Sequence, residues 1–217
     1  MLTRTFILST LIFAIMSHTI PAQQIKLPAP DRTGGVALMK ALNDRSSSRE
    51  FDVRPLTDQH LSNLLWASWG INRPGEGKHT APSSNNRQEM SVYVALEFGL
   101  YLYESQSHTL DLVLDSDIRK SIGRQDFVAT APVNLIYVAD LVKVGIADPE
   151  SADAAALNTS HINTGFMAQN VYLYCASANL ACVVRGYIDR DALTKAMQLK
   201  PHQRIIITQT VGYPASK

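Results

Sequence analysis

The stretch SVYVALEFGLYLY, residues 91–103, decides the fold class of this chain. In its first half, β-branched and aromatic residues alternate with smaller ones, and residues 99–103 repeat the alternation after a gap of two residues. Two such runs joined by a short turn predict a pair of antiparallel strands. The run TLDLVL, residues 109–114, predicts a third strand that continues the same sheet.

Further strands and helices are predicted on both sides of this hairpin. The apolar runs at 131–139 and 204–211 are typical of buried strands, whereas residues 36–42, 61–68 and 115–122 carry helix signals. Because helices and strands alternate irregularly, the sequence predicts an α+β fold with a mainly antiparallel sheet flanked by helices.

A longer helix is predicted from His161 to Asn179. Apolar residues surround it almost entirely, which is the pattern of a central helix buried on several sides. These residues are Ile162, Phe166, Met167, Val171, Leu173, Tyr174 and Ala178.

The composition indicates one globular domain, which we place at residues 33–217. The chain has 217 residues, of which 46% are hydrophobic and 18% charged, so it can bury a sizeable core. The formal net charge is +1 and the basic residues are dispersed, which argues against electrostatic capture of nucleic acid. The histidines have no metal-ligand spacing, so no metal site is predicted.

The N-terminus carries the pattern of a targeting segment. Arg4 precedes an apolar run at 6–16 and the small-residue exit IPA at 20–22, which together predict a signal peptide at 1–22. Export to the periplasm follows from cleavage near Ala22, with an uncleaved membrane anchor as the alternative. Residues 23–32, which contain two prolines, are predicted to tether the domain.

The chain has two cysteines, Cys175 and Cys182. Free cysteines are commonly buried as small hydrophobic residues, and in an oxidising compartment the same pair could form a disulfide. Both readings stay open at this point.

Three polar clusters stand out in an otherwise apolar chain: RSSSR at 45–49, PSSNNRQ at 82–88 and VVRGY at 183–187. In the first cluster, two guanidinium groups and several hydroxyls can neutralise and hydrogen-bond a phosphate. Composition alone also allows a solvated loop between two helices.

These clusters, together with FDVRPLT at 51–57 and VGYP at 211–214, resemble the nitroreductase family of FMN-dependent oxidoreductases and, within it, the SagB-type branch. The likeness extends over almost the whole mature chain. It implies a nitroreductase-like fold, FMN as cofactor, and a homodimer with two FMN at its interface.

The resemblance also implies which residues bind the cofactor. Arg45, Ser46 and Ser47 would hold the phosphate and ribityl end of FMN. Arg49 would lie near the pyrimidine edge of the flavin, where a fixed cation stabilises the reduced ring. The family's longer members end in basic residues that bind phosphate, and Lys217 is a weak substitute for them here.

The second cluster matches the family loop that reaches the flavin of the other subunit. The matching residues are Pro82, Ser83, Ser84, Asn86 and Gln88. Relatives often continue with a proline and an aromatic residue, but Glu89 and Met90 follow here.

The third cluster matches the segment that passes the flavin N5. The backbone of Val184, Arg185 and Gly186 would approach the ring there, because glycine has no side chain to obstruct it. Many relatives have an acidic residue in place of Arg185, so no acid role is carried over. Gln125 matches a SagB-type residue near the flavin pyrimidine, with an ordinary surface amide as the alternative.

The function implied by the resemblance is transfer of hydride or electrons through flavin N5 to or from a small conjugated compound such as a nitroaromatic or a quinone. NAD(P)H is a candidate donor, although export would separate the protein from intracellular nicotinamides. The alternatives are a SagB-type dehydrogenase of peptide azolines and a non-catalytic flavin-binding protein. Acceptor choice is expected to depend on a lid at 141–151.

Overall fold

A seven-stranded antiparallel sheet forms the centre of the molecule. The computed structural model describes residues 24–146, 148–149, 152, 155 and 157–216. The predicted signal peptide at 1–22 and Lys217 lie outside the described residues.

The described residues form nine strands and five α-helices. The strands are β1 (Gln24–Lys26), β2 (Ile71–Arg73), β3 (Lys78–His79), β4 (Met90–Leu96), β5 (Gly99–Glu104), β6 (Thr109–Leu114), β7 (Val133–Asp140), β8 (Ala181–Arg185) and β9 (Gln203–Gly212). The helices are α1 (Leu38–Asp44), α2 (Asp58–Trp69), α3 (Leu141–Val144), α4 (Asn158–Ser177) and α5 (Arg190–Ala196). The order in the large sheet is β1-β6-β5-β4-β7-β9-β8, and β2 pairs with β3 in a separate hairpin.

The predicted hairpin is confirmed as β4 and β5. Tyr93 pairs with Leu102 and Leu96 pairs with Gly99, so the two strands are antiparallel and joined by a two-residue turn. A Cβ on Gly99 would lie 2.7 Å from the carbonyl oxygen of Leu114 on β6, so the close approach of β6 requires glycine here.

The sheet separates two apolar cores, as expected for the α+β class. One face packs against α2 and α4 and buries Leu64, Tyr137 and Met167 among others. The opposite face packs against α5 and the connection between β6 and β7, and it buries Ile136 and Leu193. Complete burial of a leucine or isoleucine side chain contributes about 1.5–3 kcal/mol to the free energy of unfolding.

A buried polar side chain, Gln209, ties α4 to the sheet. Its amide nitrogen donates to the carbonyl oxygen of Ala168 on α4 at 3.1 Å and to the Cys182 sulfur at 3.0 Å. Its carbonyl oxygen accepts a 2.6 Å hydrogen bond from the hydroxyl of Tyr137, whose pKa is raised by burial. Cys175 and Cys182 are buried free thiols, in agreement with the first reading of the cysteines.

The central helix α4 buries one continuous face against the sheet and also contacts α1 and α2. Its N-terminal half nevertheless exposes Ile162 and Phe166, which are 52% and 45% accessible in the single chain. The prediction that α4 is buried on several sides is therefore only partly confirmed within a single chain.

The predicted tether at 23–32 is wrong for its first half. Gln24–Lys26 form β1, in which Ile25 pairs with Leu110 of β6, and Leu27 is buried in the core. This pairing covers the edge of β6, whose hydrogen-bonding groups would otherwise be free.

The predicted helix at 115–122 is also wrong. The segment contains only a short 3-10 turn at Arg119–Ser121. Asp117 uses its carboxylate to accept hydrogen bonds from the backbone and guanidinium of Arg119, and Arg119 donates onward to the carbonyl oxygen of Ala131 at 3.2 Å. These contacts satisfy the polar groups of the segment without a helix.

Within the described residues, no helix combines the length and the apolarity needed to cross a bilayer. The expected lid at 141–151 begins with the short helix α3, and its residues 147, 150 and 151 lie outside the description.

Candidate functional site

The RSSSR loop lies along β8, the last strand of the sheet. Helix α1 ends at Asp44, and the extended backbone of Arg45 (ψ 119°) turns the chain away from the helix. The Ser48 amide then donates to the carbonyl oxygen of Cys182 at 2.9 Å. Because β8 pairs only with β9 among the described strands, its outward backbone groups are free for such contacts.

Tyr172 of α4 joins this loop to the strand. Its hydroxyl is hydrogen-bonded to the Ser47 hydroxyl at 2.9 Å and accepts from the Val184 amide at 2.8 Å. The Arg45 guanidinium carbon lies 5.7 Å from the centre of the Tyr172 ring, within the range of a cation–π contact. The hydroxyls of Ser46 and Ser47 are on exposed residues, so the loop presents polar groups outward.

Gly186, just beyond the end of β8, borders open space. A Cβ built on it would meet nothing within 4 Å, so the packing of this chain does not require glycine there. Val184 and Gly186 are two residues apart, and successive strand residues direct their backbone groups to opposite sides. A flat ligand could therefore approach the strand edge at both residues.

Arg185, between them, directs its side chain inward, and the residue is only 3% exposed. Its Nε donates to the Thr210 hydroxyl at 2.8 Å, and its guanidinium donates to the Asn134 side-chain oxygen at 3.0 Å and the Ile122 carbonyl oxygen at 3.4 Å. Burial lowers the pKa of Arg185 to about 10, so the group stays protonated at neutral pH. The side chain therefore points away from the strand edge, and the contact of the Arg185 backbone with a cofactor stays a prediction.

Gln125 lies beside the same guanidinium. A Cβ on Gly123 would come within 2.2 Å of an Arg185 nitrogen and within 3.3 Å of the Gln125 side-chain oxygen. That oxygen is buried and has no hydrogen-bond partner among the described residues. Gln125 is therefore more than a solvated surface amide.

Aromatic contacts connect the remaining motifs to this end of the sheet. Phe51 packs against Phe127 with ring centres 5.4 Å apart, and it forms an isolated backbone bridge with Pro214. A Cβ on Gly212 would lie 2.8 Å from Pro132 and 3.3 Å from Phe51. The segments FDVRPLT and VGYP thus meet beside the RSSSR loop.

The second cluster, residues 82–88, is a strained and well-anchored loop. Asn85, Asn86 and Gln88 have φ angles of 51°, 53° and 50°, in the left-handed region that is uncommon for glutamine. The backbone amide of Gln88 donates to the Ser83 hydroxyl at 3.0 Å, and its side-chain amide donates to the Gly77 carbonyl oxygen at 3.0 Å.

The loop also lies beside a stacked pair formed by the last residue of α2 and a residue of β3. His79 lies parallel to Trp69 with ring centres 4.0 Å apart, and a hydrogen bond joins it to the Gln88 side chain. Burial lowers the pKa of His79, so its neutral form is favoured.

The structure separates the two groups of predicted residues within one chain. Glu89, directly after the loop, accepts a 2.7 Å hydrogen bond from Asn163 of α4, whereas the RSSSR loop contacts Tyr172 of the same helix. At 1.5 Å per residue, these two contacts are about 13 Å apart along α4. One chain therefore unites the first and third clusters, and the second lies elsewhere.

Around β8 the structure brings together Arg45, Ser46, Ser47, Gln125, Val184, Arg185 and Gly186. Pro82, Ser83, Ser84, Asn86 and Gln88 belong to the remote loop. Arg49 is exposed at the end of the RSSSR loop, and Lys217 lies outside the described residues.

Sequence reasoning missed Tyr172, whose hydroxyl connects two of the three clusters. It lies in an apolar helical run, which marks it as core, and only the position of β8 reveals the role of the hydroxyl. In the part of the chain that the structure describes, no group of three His, Cys, Asp or Glu residues could hold a metal ion.

Comparison with known proteins gives a consistent result. The model of the family described as the Nitroreductase family matches residues 42–213. The crystal structure of a candidate nitroreductase from Ralstonia eutropha JMP134 is 43% identical, with a TM-score of 0.82 over 91% of this chain and 94% of that one. A candidate nitroreductase of Methanocaldococcus jannaschii is 26% identical over 194 residues, which span 85% of this chain and 94% of the relative.

A more distant structure contains a cofactor. A candidate nitroreductase from Desulfovibrio desulfuricans, solved in complex with FMN, is 19% identical, with a TM-score of 0.59 over 84% of this chain and 89% of that one. At this level of identity the likeness concerns the fold.

We expect Tyr172→Phe to lower the free energy of unfolding by about 1–3 kcal/mol, because it leaves the Val184 amide and the Ser47 hydroxyl without their shared partner. Urea denaturation measures the change. Tyr187→Phe is the matched control, since Tyr187 is exposed and should change stability by less than about 0.5 kcal/mol. Equal effects of the two substitutions would contradict the linking role of Tyr172.

Proposed function

Because the chain belongs to the nitroreductase family and is an FMN-dependent oxidoreductase, we propose that it transfers hydride equivalents between a donor and a small conjugated electrophile, such as a nitroaromatic or a quinone. The single observation that carries this proposal is the combination of open backbone at Gly186 with the Arg45 and Ser47 side chains on the same strand edge.

The residues at this edge fit FMN. Arg45, Ser46 and Ser47 supply a cation and hydroxyl donors for its phosphate, and Gly186 leaves room for a planar ring beside the backbone. The donor set would hold a phosphate without a metal ion.

FMN, when bound, supplies a ring that accepts and releases a hydride. The protein has to hold that ring, orient it and leave one face accessible. Tyr172 fixes the Val184 amide and the Ser47 hydroxyl relative to each other, so the strand edge and the phosphate loop form one rigid unit. No side-chain acid or base is required for this role, in agreement with the inward direction of Arg185.

We propose that the protein works as a homodimer in which the 82–88 loop of one subunit completes the site of the other. Two observations support this. The loop lies about 13 Å along α4 from the Tyr172 contact of its own chain, and α4 exposes Phe166 between these points and Ile162 just before them. Helix α1 also carries exposed apolar side chains, since Leu38 and Met39 are 63% and 75% accessible in the single chain.

We also propose export to the periplasm, on the strength of the N-terminal pattern at 1–22. NAD(P)H is then a convenient donor in the test tube, and a partner protein or a membrane quinol would replace it after export.

The test of the function is an anaerobic titration of the purified mature protein. We expect a flavin absorbance spectrum that is bleached by NADPH or dithionite and restored by a quinone or nitroaromatic. A flavin that is bleached only by an azoline peptide would favour the SagB-type dehydrogenase. A coloured protein that dithionite reduces but no acceptor reoxidises would favour a non-catalytic flavin-binding protein.

We expect Arg45→Ala to weaken FMN binding ten- to a hundredfold, because a charge-assisted hydrogen bond contributes roughly 1.5–3 kcal/mol. The ratio of flavin to protein absorbance after dialysis measures retention. Lys26→Ala is the control, because it removes one positive charge from β1, at the opposite edge of the sheet. Full retention of FMN by the Arg45 variant would show that the phosphate lies elsewhere.

For the dimer, we expect Phe166→Asp to give a monomer in sedimentation analysis and to release FMN, since a buried unpaired carboxylate is costly at an interface. Val113→Asp, on the exposed side of β6, should stay dimeric with its FMN. A dimeric, fully loaded Phe166 variant would rule out α4 as the interface.

A further inference from the structure

Arg185 carries a buried positive charge and forms no ion pair with any residue that the structure describes. Its three hydrogen-bond acceptors are a hydroxyl, an amide oxygen and a backbone carbonyl oxygen. The ion pairs formed by described residues join other groups, such as Arg119 with Asp117 and Arg124 with Asp189.

Such an arrangement is costly unless something compensates it. A buried cation loses its hydration, and neutral acceptors restore only part of the lost free energy. The guanidinium occupies space that Gly123 leaves open, since a Cβ on Gly123 would lie 2.2 Å from one of its nitrogens. A negative group close by during the working cycle would compensate this cost.

The position of Arg185 shows where that group would be. Its neighbours Val184 and Gly186 direct their backbone toward the outer edge of β8, while the guanidinium extends across β9, where it binds Thr210, to Asn134 of β7. Next to the guanidinium is the buried, unpartnered oxygen of Gln125. A ring held at the strand edge would lie within the field of this cation, which is weakly screened because water is excluded.

We propose that Arg185 is an electrostatic positioning residue that stabilises the reduced, negatively charged form of FMN from the sheet face at β9 and so raises the reduction potential of the cofactor. This inference rests on the proposed function. The cation acts through space and through the backbone it supports, and it does not touch substrate.

The experiment measures the midpoint potential of bound FMN by equilibration with reference dyes during slow anaerobic reduction. Arg185→Met removes the charge and keeps a long side chain in the cavity. We expect it to shift the equilibrium at least tenfold toward oxidised FMN, which for a two-electron couple corresponds to a fall of about 30 mV.

A second pair of variants keeps Arg185 and changes its partner. Asn134→Asp places a carboxylate where the amide oxygen now lies, 3.0 Å from the guanidinium. It should lower the midpoint potential of FMN, as Arg185→Met does. Asn134→Leu has a similar volume and loses the same side-chain donor to Val128, but it adds no charge, so its redox equilibrium should stay within threefold of wild type.

The outcomes separate the two proposals. If Arg185→Met fails to fold or loses FMN, the Asn134 pair decides. Wild-type potentials in the loaded Arg185→Met and Asn134→Asp proteins would overturn the role of Arg185 and leave the proposed function intact, as would equal shifts in the Asp and Leu variants. A wild-type protein that refuses FMN would overturn both.

Discussion

The hydrogen bonds of the Tyr172 hydroxyl hold the site together. In the described part of the chain, the outer edge of β8 has no neighbouring strand, so its amides must find other partners or remain with solvent. One hydroxyl satisfies the Val184 amide and the Ser47 side chain at once, and the Ser48 amide binds the Cys182 carbonyl beside it. Helix α4, strand β8 and the loop after α1 consequently form a single unit.

Much of this fold is predictable from local sequence pattern. The β4–β5 hairpin follows from a period of two around Gly99, and the family segments follow from their spacing. β1 was missed because two nearby prolines suggest a linker, and its pairing with β6 depends on residues about 85 positions away. The role of Tyr172 was missed for a similar reason, since a hydroxyl in an apolar helix finds its partner only in the tertiary structure.

The 82–88 loop shows the difference between recognising a motif and deriving its shape. Its residue spacing is visible in the sequence, but the left-handed backbone of Gln88 is not. Such a conformation costs of order 1–3 kcal/mol and persists only where surrounding contacts impose it. Here the hydroxyl of Ser83 and the carbonyl oxygen of Gly77 do so. The loop is thus fixed before it meets any ligand, which favours a binding role.

In the proposed homodimer, two-fold symmetry would account for the position of the two groups of site residues at different points along one helix. At a two-fold interface, residue i of one subunit contacts residue j of the other, and residue j of the first contacts residue i of the second. If the α4 helices of two copies cross near residue 167, Asn163 of one copy lies opposite Tyr172 of the other, and the loop beside Asn163 reaches the partner's β8 edge. Phe166 lies at that centre, and a Cβ on Gly165 would meet nothing within 4 Å, so a second helix can approach closely. The separation of about 13 Å along α4 is then the spacing that a symmetric dimer needs to assemble two complete sites.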